Sequence, residues 1–143
     1  MATVELRFSA LPEHVRTARL VAAAVARRAG VDEAVLDEVR LAVGEACSRA
    51  VGLHRTNGIT APVKVSLIEE EKQFSIEVGD EAPHAAPGDP AAAVAGDDAE
   101  TEEDEMGLAV ISGLVDDVEV KAGQDGGLIR MTWPTAPPPV PVA

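Results

Sequence analysis

The apolar residues of this chain follow a helical period over residues 13–54 and a strand period over residues 63–80, and this change of period constrains the fold most strongly. In EHVRTARLVAAAVARRAG, and again from Leu36 to Ala50, apolar side chains recur every three or four positions, which predicts two amphipathic helices. In VKVSLIEE and QFSIEVGD, apolar and polar side chains alternate, which predicts an antiparallel hairpin. The chain therefore contains the elements of a mixed α and β domain.

Capping residues predict where the two helices begin and end. Pro12 fits a first helical turn and Gly30 a helix end, while Asp32 fits the N-cap of the second helix. We expect the second helix to end near residues 52–54. The buried stripe of the first helix is predicted to comprise Val15, Ala18, Ala22, Val25 and Ala29.

Shorter elements flank this central region. TVELRFS near the start, and DDVEVK and LIRMTW near the end, have the alternation of strands, and MGLAVISGLV has the pattern of a short helix. The order is strand, helix, helix, strand, strand, helix, strand, strand. The sequence therefore predicts an α+β fold, a two-layer α/β sandwich in which about five mostly antiparallel strands carry three helices on one face.

Residues 81–105 interrupt this pattern with proline, glycine, alanine and acidic residues. Seven of the nine residues from 97 to 105 are carboxylates, and no hydrophobic period is present. We expect a mobile acidic lid loop inside a single domain of residues 1–133, either solvated or lying against a basic patch of a partner. The proline-rich residues 134–143 are expected to be a disordered tail.

Charge and cysteine content exclude several classes of function. The chain has 25 acidic and 12 basic side chains, a net charge of −13, so we expect neither nucleic acid nor a membrane as partner. No apolar run approaches the roughly 18 residues of a membrane helix, and MATVELRFSA is not a signal peptide, which predicts a cytoplasmic protein. Cys47 is the only cysteine, so no disulfide and no metal site are predicted.

A few side chains remain that could carry chemistry. Glu45 and Arg49 lie four residues apart and therefore on one helix face, where they are either a surface ion pair or part of a site. Asp80 ends a strand, where a carboxylate can bind the amino group of a flat heterocycle, and Gly107 opens a helix, where backbone N–H groups can bind phosphate. Three histidines in different elements have no nucleophile beside them and are interpreted as exposed or capping: His14, His54 and His84.

The order of these features resembles a known family. The segments LDEVRLAVGEACSRAVGLH, FSIEVGDEAP and EMGLAVISGLVDDVEV are similar to the N-box and the two glycine boxes of the serine-kinase anti-sigma factors of sporulation and stress response. These proteins belong to the histidine kinase-like ATPase superfamily, with gyrase, heat-shock chaperones and histidine kinases. The resemblance covers residues 4 to about 133, from VELRFSALPEHVRTAR to GGLIRMTW.

The resemblance implies ATP and Mg²⁺ as cofactors and assigns roles to matching residues. Glu45 matches the glutamate that activates the serine hydroxyl of a partner, so it would be the general base of an active kinase. Asp80 and Gly107 match nucleotide-binding positions. Arg49 stands where the family has a magnesium-binding asparagine, and a guanidinium has no acceptor atom and carries the charge sign of the metal.

Three further motif positions are altered. Ala82 and His84 replace the glycines of the first box, and Glu105 replaces a glycine of the second, where its carboxylate would occupy the helix end that binds phosphate. Arg49 then either replaces Mg²⁺ as the phosphate counter-charge or pairs with Glu45 or Glu105 in a decayed site. The joint changes favour an attenuated or lost ATP site, as in a pseudokinase.

The resemblance implies a regulator that binds a sigma factor and an anti-sigma factor antagonist by partner switching, and that forms a homodimer. An active serine/threonine protein kinase acting on the antagonist is the alternative, and a sensor of another small ligand in the modified pocket is a second alternative. The family uses its first helix and the surface near it both in the homodimer and to bind the sigma factor. The candidates on the exposed side of that helix here are Glu13, Arg16, Arg19 and Arg27.

Overall fold

The computed structural model describes residues 2–83, 108–115 and 117–135, which form one antiparallel sheet with helices packed on it. The elements are β1 (Thr3–Phe8), α1 (Glu13–Ala29), α2 (Leu36–Thr56), β2 (Val63–Glu70), β3 (Gln73–Asp80), α3 (108–114), β4 (Asp117–Gly123) and β5 (Gly126–Pro134). The strands lie in the order β1-β2-β3-β5-β4, and each neighbouring pair is antiparallel. The predicted α+β sandwich of five strands and three helices is confirmed.

Part of the predicted site lies outside the described residues. This holds for His84, Glu105 and Gly107, for all of the acidic loop except residues 81–83, and for residues 136–143. Pro134, which we expected to begin the tail, is instead the last residue of β5, where it lies opposite Gln73. The predicted mobility of the loop and the tail therefore stays a prediction.

The helix ends follow the capping residues with two differences. Gly30 ends α1 in the left-handed conformation with a φ of 102°, a conformation that glycine adopts without strain. Asp32 accepts a hydrogen bond from the Ala34 N–H, but it caps a short 3₁₀ turn, so α2 itself begins only at Leu36. α2 also extends to Thr56, past the predicted end, and the Asn57 side chain closes it with a 2.8 Å hydrogen bond to the Leu53 carbonyl.

The interface between α1 and α2 consists largely of alanine and valine. The buried residues of α1 are Val15, Ala18, Ala22, Ala23 and Ala26. Val25 and Ala29, which we expected in the buried stripe, are only partly buried because the stripe passes through Ala26 instead. Small side chains let the two helices approach closely, and together they cover one face of the sheet.

The alternation along β3 determines which of its side chains face the helices. Phe74, Ile76 and Val78 are buried, and their register partners on β5 are also core residues: Trp133, Met131 and Ile129. Asp80 continues the same alternation, so its carboxylate also lies on the helix-facing side, where it is buried. Within the described part of the chain, no helix has the length and apolar composition needed to cross a membrane.

Candidate functional site

Arg49 of α2 and Asp80 of β3 form a buried ion pair. Arg49 Nη1 lies 3.9 Å from Asp80 Oδ2, and the two side chains are only 8% and 2% exposed. α2 packs on β3, and the ion pair places the guanidinium of Arg49 at the carboxyl end of that strand. The pair therefore joins α2 to the end of β3.

The second carboxylate oxygen of Asp80 is also engaged. Oδ1 accepts a 3.0 Å hydrogen bond from the backbone N–H of Ala82, which closes a tight turn just after β3. Ala82 itself is fully buried. A side chain at this altered glycine position is therefore accommodated in the packing, and the carboxylate of Asp80 is held between a cation and a backbone donor.

His54 fixes the neighbouring residue and corrects our interpretation of the histidines. Its ring is fully buried, with Nδ1 lying 2.9 Å from the Ala61 carbonyl and Nε2 accepting a 2.9 Å hydrogen bond from the Glu81 N–H. Both contacts are satisfied when Nδ1 carries the proton. His54 is thus neither exposed nor a helix cap, and its position four residues after Ala50 on the buried stripe of α2 was the signal for this role.

Glycines at the start of β5 allow the close approach of the strand to Asp80. Gly127 is the register partner of Asp80, and a Cβ atom on Gly126 would overlap the Asp80 carbonyl oxygen. Gly126 also has a φ of 143°, a conformation that other residues rarely adopt. The pair of glycines in GQDGG, which the sequence indicated only as a turn, therefore positions the backbone of the site.

Glu45 lies apart from this ion pair. It is exposed and lines an open groove of about 240 Å³ between α1 and α2. The other residues that line this groove, which we call the α1–α2 groove, are Pro12, Val15, Arg19, Leu41, Gly44 and Ser48. Glu45 makes no hydrogen bond or ion pair with any described residue. The hypothesis that it pairs with Arg49 is therefore not supported, since Arg49 pairs with Asp80 instead.

Only one of the four predicted partner-binding residues lies in this groove. Arg19 crosses Gly44 so closely that a Cβ atom there would lie 2.8 Å from Arg19 Cδ. Glu13, Arg16 and Arg27 are exposed elsewhere on α1, and Arg27 lies 3.5 Å from a carboxylate oxygen of Glu33. The groove therefore combines one cation, one carboxylate and the exposed apolar side chain of Leu41.

The described residues do not fit the magnesium site of the family. Arg49 cannot ligate a cation, and the carboxylate of Asp80 faces the guanidinium. Within the described ranges no group of three or more histidine, cysteine or carboxylate side chains could hold a metal ion. Burial raises the pKa of the Cys47 thiol from 9.0 to about 12, so this side chain supplies neither a nucleophile nor a ligand at neutral pH.

Comparison with known proteins agrees with this fold. A family model described as a histidine kinase-like ATPase domain matches residues 8–133. Among solved structures, the crystal structure of the RsbU and RsbW domains of Rv1364c from Mycobacterium tuberculosis is similar, with a TM-score of 0.68 and 16% sequence identity. The match covers 94% of this chain and 32% of that chain, so this protein spans about a third of its length. A search of curated proteins gives no match.

Proposed function

Because the chain belongs to the histidine kinase-like ATPase domain family, we propose that it is an anti-sigma factor-like regulator that binds a sigma factor, an anti-sigma factor antagonist or both by partner switching, with an attenuated or lost ATP site. The buried pair of Arg49 and Asp80 carries this proposal. In the anti-sigma factors that the sequence resembles, the matching positions bind Mg²⁺ and adenine. Here the two side chains bind each other.

The energetics of the pair oppose nucleotide binding. An adenine amino group that binds Asp80 competes with the guanidinium of Arg49 for the carboxylate, and a buried charge that loses its partner costs several kcal/mol. Mg²⁺ would also approach a side chain of the same charge sign. A regulator that acts by binding other proteins does not require a nucleotide site, whereas a kinase does.

The α1–α2 groove is the surface we propose for the partner. Leu41 is 54% exposed and offers an apolar anchor, and Arg19 and Glu45 place opposite charges beside it. An apolar centre with charged groups around it is the usual composition of a protein-binding site. Glu13, Arg16 and Arg27 lie outside this groove, and the net charge of −13 favours a partner with a basic surface.

The experiment that tests partner binding has two steps. The tagged full-length protein is recovered from its source cells, and the co-purifying proteins are identified by mass spectrometry. A sigma factor or antagonist found there is purified and titrated calorimetrically against wild type and two leucine variants. Leu41→Asp should weaken binding at least about tenfold, while Leu20→Asp, which changes an equally exposed leucine (57%) outside the groove, should leave it within about threefold.

Two results would refute this part of the proposal. Recovery of neither a sigma factor nor an antagonist contradicts the assigned function. Equal effects of the two leucine variants contradict the assignment of the groove, because a surface that does not touch the partner cannot distinguish Leu41 from Leu20. Circular dichroism of both variants verifies that each is folded.

An active kinase is the second candidate, and the exposure of Glu45 favours it. A carboxylate that is open to solvent and makes no hydrogen bond or ion pair with a described residue can accept a hydrogen bond from the hydroxyl of a partner. Labelled ATP with Mg²⁺ and the purified antagonist decide between the two functions. We expect no transfer of label, whereas transfer that disappears in Glu45→Ala, with partner binding retained, would establish the kinase.

A further inference from the structure

The end of α2 contains the only asparagine of the chain, Asn57, which is followed by Gly58. Both residues are exposed, and Asn57 is the residue that ends the helix. A Cβ atom added to Gly58 would meet no atom of the described residues within 4 Å apart from its chain neighbours, so there is open space beside the Gly58 nitrogen. This pair therefore has the access that a reaction between an asparagine side chain and the following backbone nitrogen requires.

Such a reaction needs no reactant other than water. The Gly58 nitrogen attacks Cγ of Asn57, the new C–N bond closes a five-membered succinimide ring, and Nδ2 leaves as ammonia with the proton of the Gly58 N–H. Glycine favours this step because it has no Cβ atom to hinder the approach. Water then opens the ring at one of its carbonyl carbons. Opening at Cγ gives aspartate, whereas opening at the backbone carbonyl gives isoaspartate, in which the main chain passes through Cβ and Cγ.

Two hydrogen bonds hold the reacting groups at the helix end. Asn57 Nδ2 donates to the Leu53 carbonyl at 2.8 Å, and the Gly58 N–H donates to the Arg55 carbonyl at 3.3 Å. The second bond is long for an N–H···O contact, and both acceptors lie in the last turn of α2, where local opening costs least. The reaction therefore requires that this turn opens, not that the domain unfolds.

We propose that Asn57 and Gly58 form a self-modification site, at which the folded chain converts Asn57 to isoaspartate, and that the conversion loosens the attachment of Glu81 to α2. The product has one more carbon in the main chain, lacks the Nδ2 donor that bonds the Leu53 carbonyl, and carries a carboxylate. A negative charge at this end of a helix is unfavourable, because the last carbonyls already carry partial negative charge.

His54 connects this site to the end of β3. Its carbonyl accepts a 2.8 Å hydrogen bond from the Ile59 N–H, and its ring Nδ1 lies 2.9 Å from the Ala61 carbonyl. Both partners follow residue 57, so the additional carbon in the main chain lies between them and α2 and displaces them relative to His54. The same ring accepts the Glu81 N–H at Nε2. A change at residue 57 therefore reaches the residue that follows β3 through the contacts of one histidine.

The first test is incubation of the folded full chain at neutral pH and physiological temperature, followed by peptide mapping with mass spectrometry. We expect residue 57 to gain the mass difference between a hydroxyl and an amino group over weeks, and fragmentation to identify isoaspartate. Asn57→Gln is the matched control and should not change, because its longer side chain would have to close a less favourable six-membered ring. The urea-unfolded wild type should convert faster. Retention of Asn57 in the folded chain, or formation of aspartate with no isoaspartate, would overturn the proposal.

The second test measures the link to Glu81. Anion exchange separates the converted protein by its additional negative charge, and NMR follows amide hydrogen exchange in both forms. The Ile59 and Glu81 amides should exchange at least about tenfold faster after conversion, because the bonds that hold them to His54 open more often. The Glu69 amide, which donates to the Ala2 carbonyl at 2.8 Å near the opposite end of the sheet, should stay within about threefold. Unchanged exchange at Glu81, or an equal increase at Glu69, would overturn the link.

Discussion

The buried pair of Arg49 and Asp80 can be tested by removing one charge at a time. At 3.9 Å and an effective dielectric constant of about 20, two unit charges attract by about 4 kcal/mol. The separation is at the outer limit for an ion pair, and both groups lose solvation on burial, so the net effect is smaller. We expect Arg49→Met and Asp80→Asn each to lower the free energy of unfolding by about 2–4 kcal/mol.

The two substitutions are chosen to remove charge while keeping shape. Methionine retains much of the aliphatic length of arginine, and asparagine retains an oxygen that can accept the Ala82 N–H. Once both charges are absent, neither is left buried without its partner. The double variant should therefore lose less than the sum of the two single losses, by a coupling energy of about 1–3 kcal/mol.

Urea unfolding followed by the fluorescence of Trp133, the only tryptophan and a buried one, measures all four proteins. The matched control is the exposed pair of Arg40 and Asp37, whose atoms lie closer, at 2.6 Å, but are open to solvent. The matching single and double variants of Arg40 and Asp37 should give a coupling energy below about 0.5 kcal/mol. A coupling below about 0.5 kcal/mol for Arg49 and Asp80 would refute the reasoning, because it would mean that burial adds nothing to their attraction.

Three further predictions concern single positions and are also measured by urea unfolding. Burial raises the pKa of the Cys47 thiol to about 12, so between pH 9 and 12 the thiol ionises in the unfolded chain but not in the native one. Relative to Cys47→Ala, the free energy of unfolding should therefore fall by about 1.4 kcal/mol per pH unit over this range. Parallel pH profiles of the two proteins would contradict this. His54→Ala should cost about 2–4 kcal/mol because the Ala61 carbonyl and the Glu81 N–H lose their partners. His14→Ala, which removes only a partly buried ring, should cost less than about 1 kcal/mol. Gly126→Ala should lower the free energy of unfolding by more than about 2 kcal/mol, because the added Cβ atom would overlap the Asp80 carbonyl oxygen. Gly52→Ala, at a position within α2 where a Cβ atom meets no other atom of the described residues, should be neutral or stabilising. Equal losses in the two variants would refute the argument.

The fold was predictable because its determinants are local. The alternation in β2 and β3 and the stripes of α1 and α2 are visible in short segments, and tertiary packing did not override them. The exact helix ends were less predictable. The 3₁₀ turn before α2 and the extension of α2 to Thr56 depend on contacts of the folded chain rather than on a strong capping signal.

The candidate site was predictable only in part, because a pattern in the sequence does not say which distant side chains meet. The positions of Arg49 and Asp80 were identified, but the sequence favoured Glu45 or Glu105 as the partner of Arg49 through helical spacing or motif order. The geometry instead brings Arg49 to a strand that follows it by about 30 residues. The role of His54 was missed because a histidine near a helix end usually reaches solvent.

The contacts of α2 explain how Arg49 and Ala82 are accommodated together at the end of β3. Arg49 holds the side chain of Asp80, His54 holds the backbone N–H of Glu81, and Asp80 in turn holds the N–H of Ala82. Three successive residues at the end of β3, residues 80–82, are thus fixed to one helix or to each other. A glycine at residue 82 would give this turn conformational freedom that its contacts do not use, whereas the buried methyl group of alanine adds packing. Ala82→Gly alone should therefore lower the free energy of unfolding without creating affinity for ATP, because Arg49 still binds the carboxylate that adenine would need.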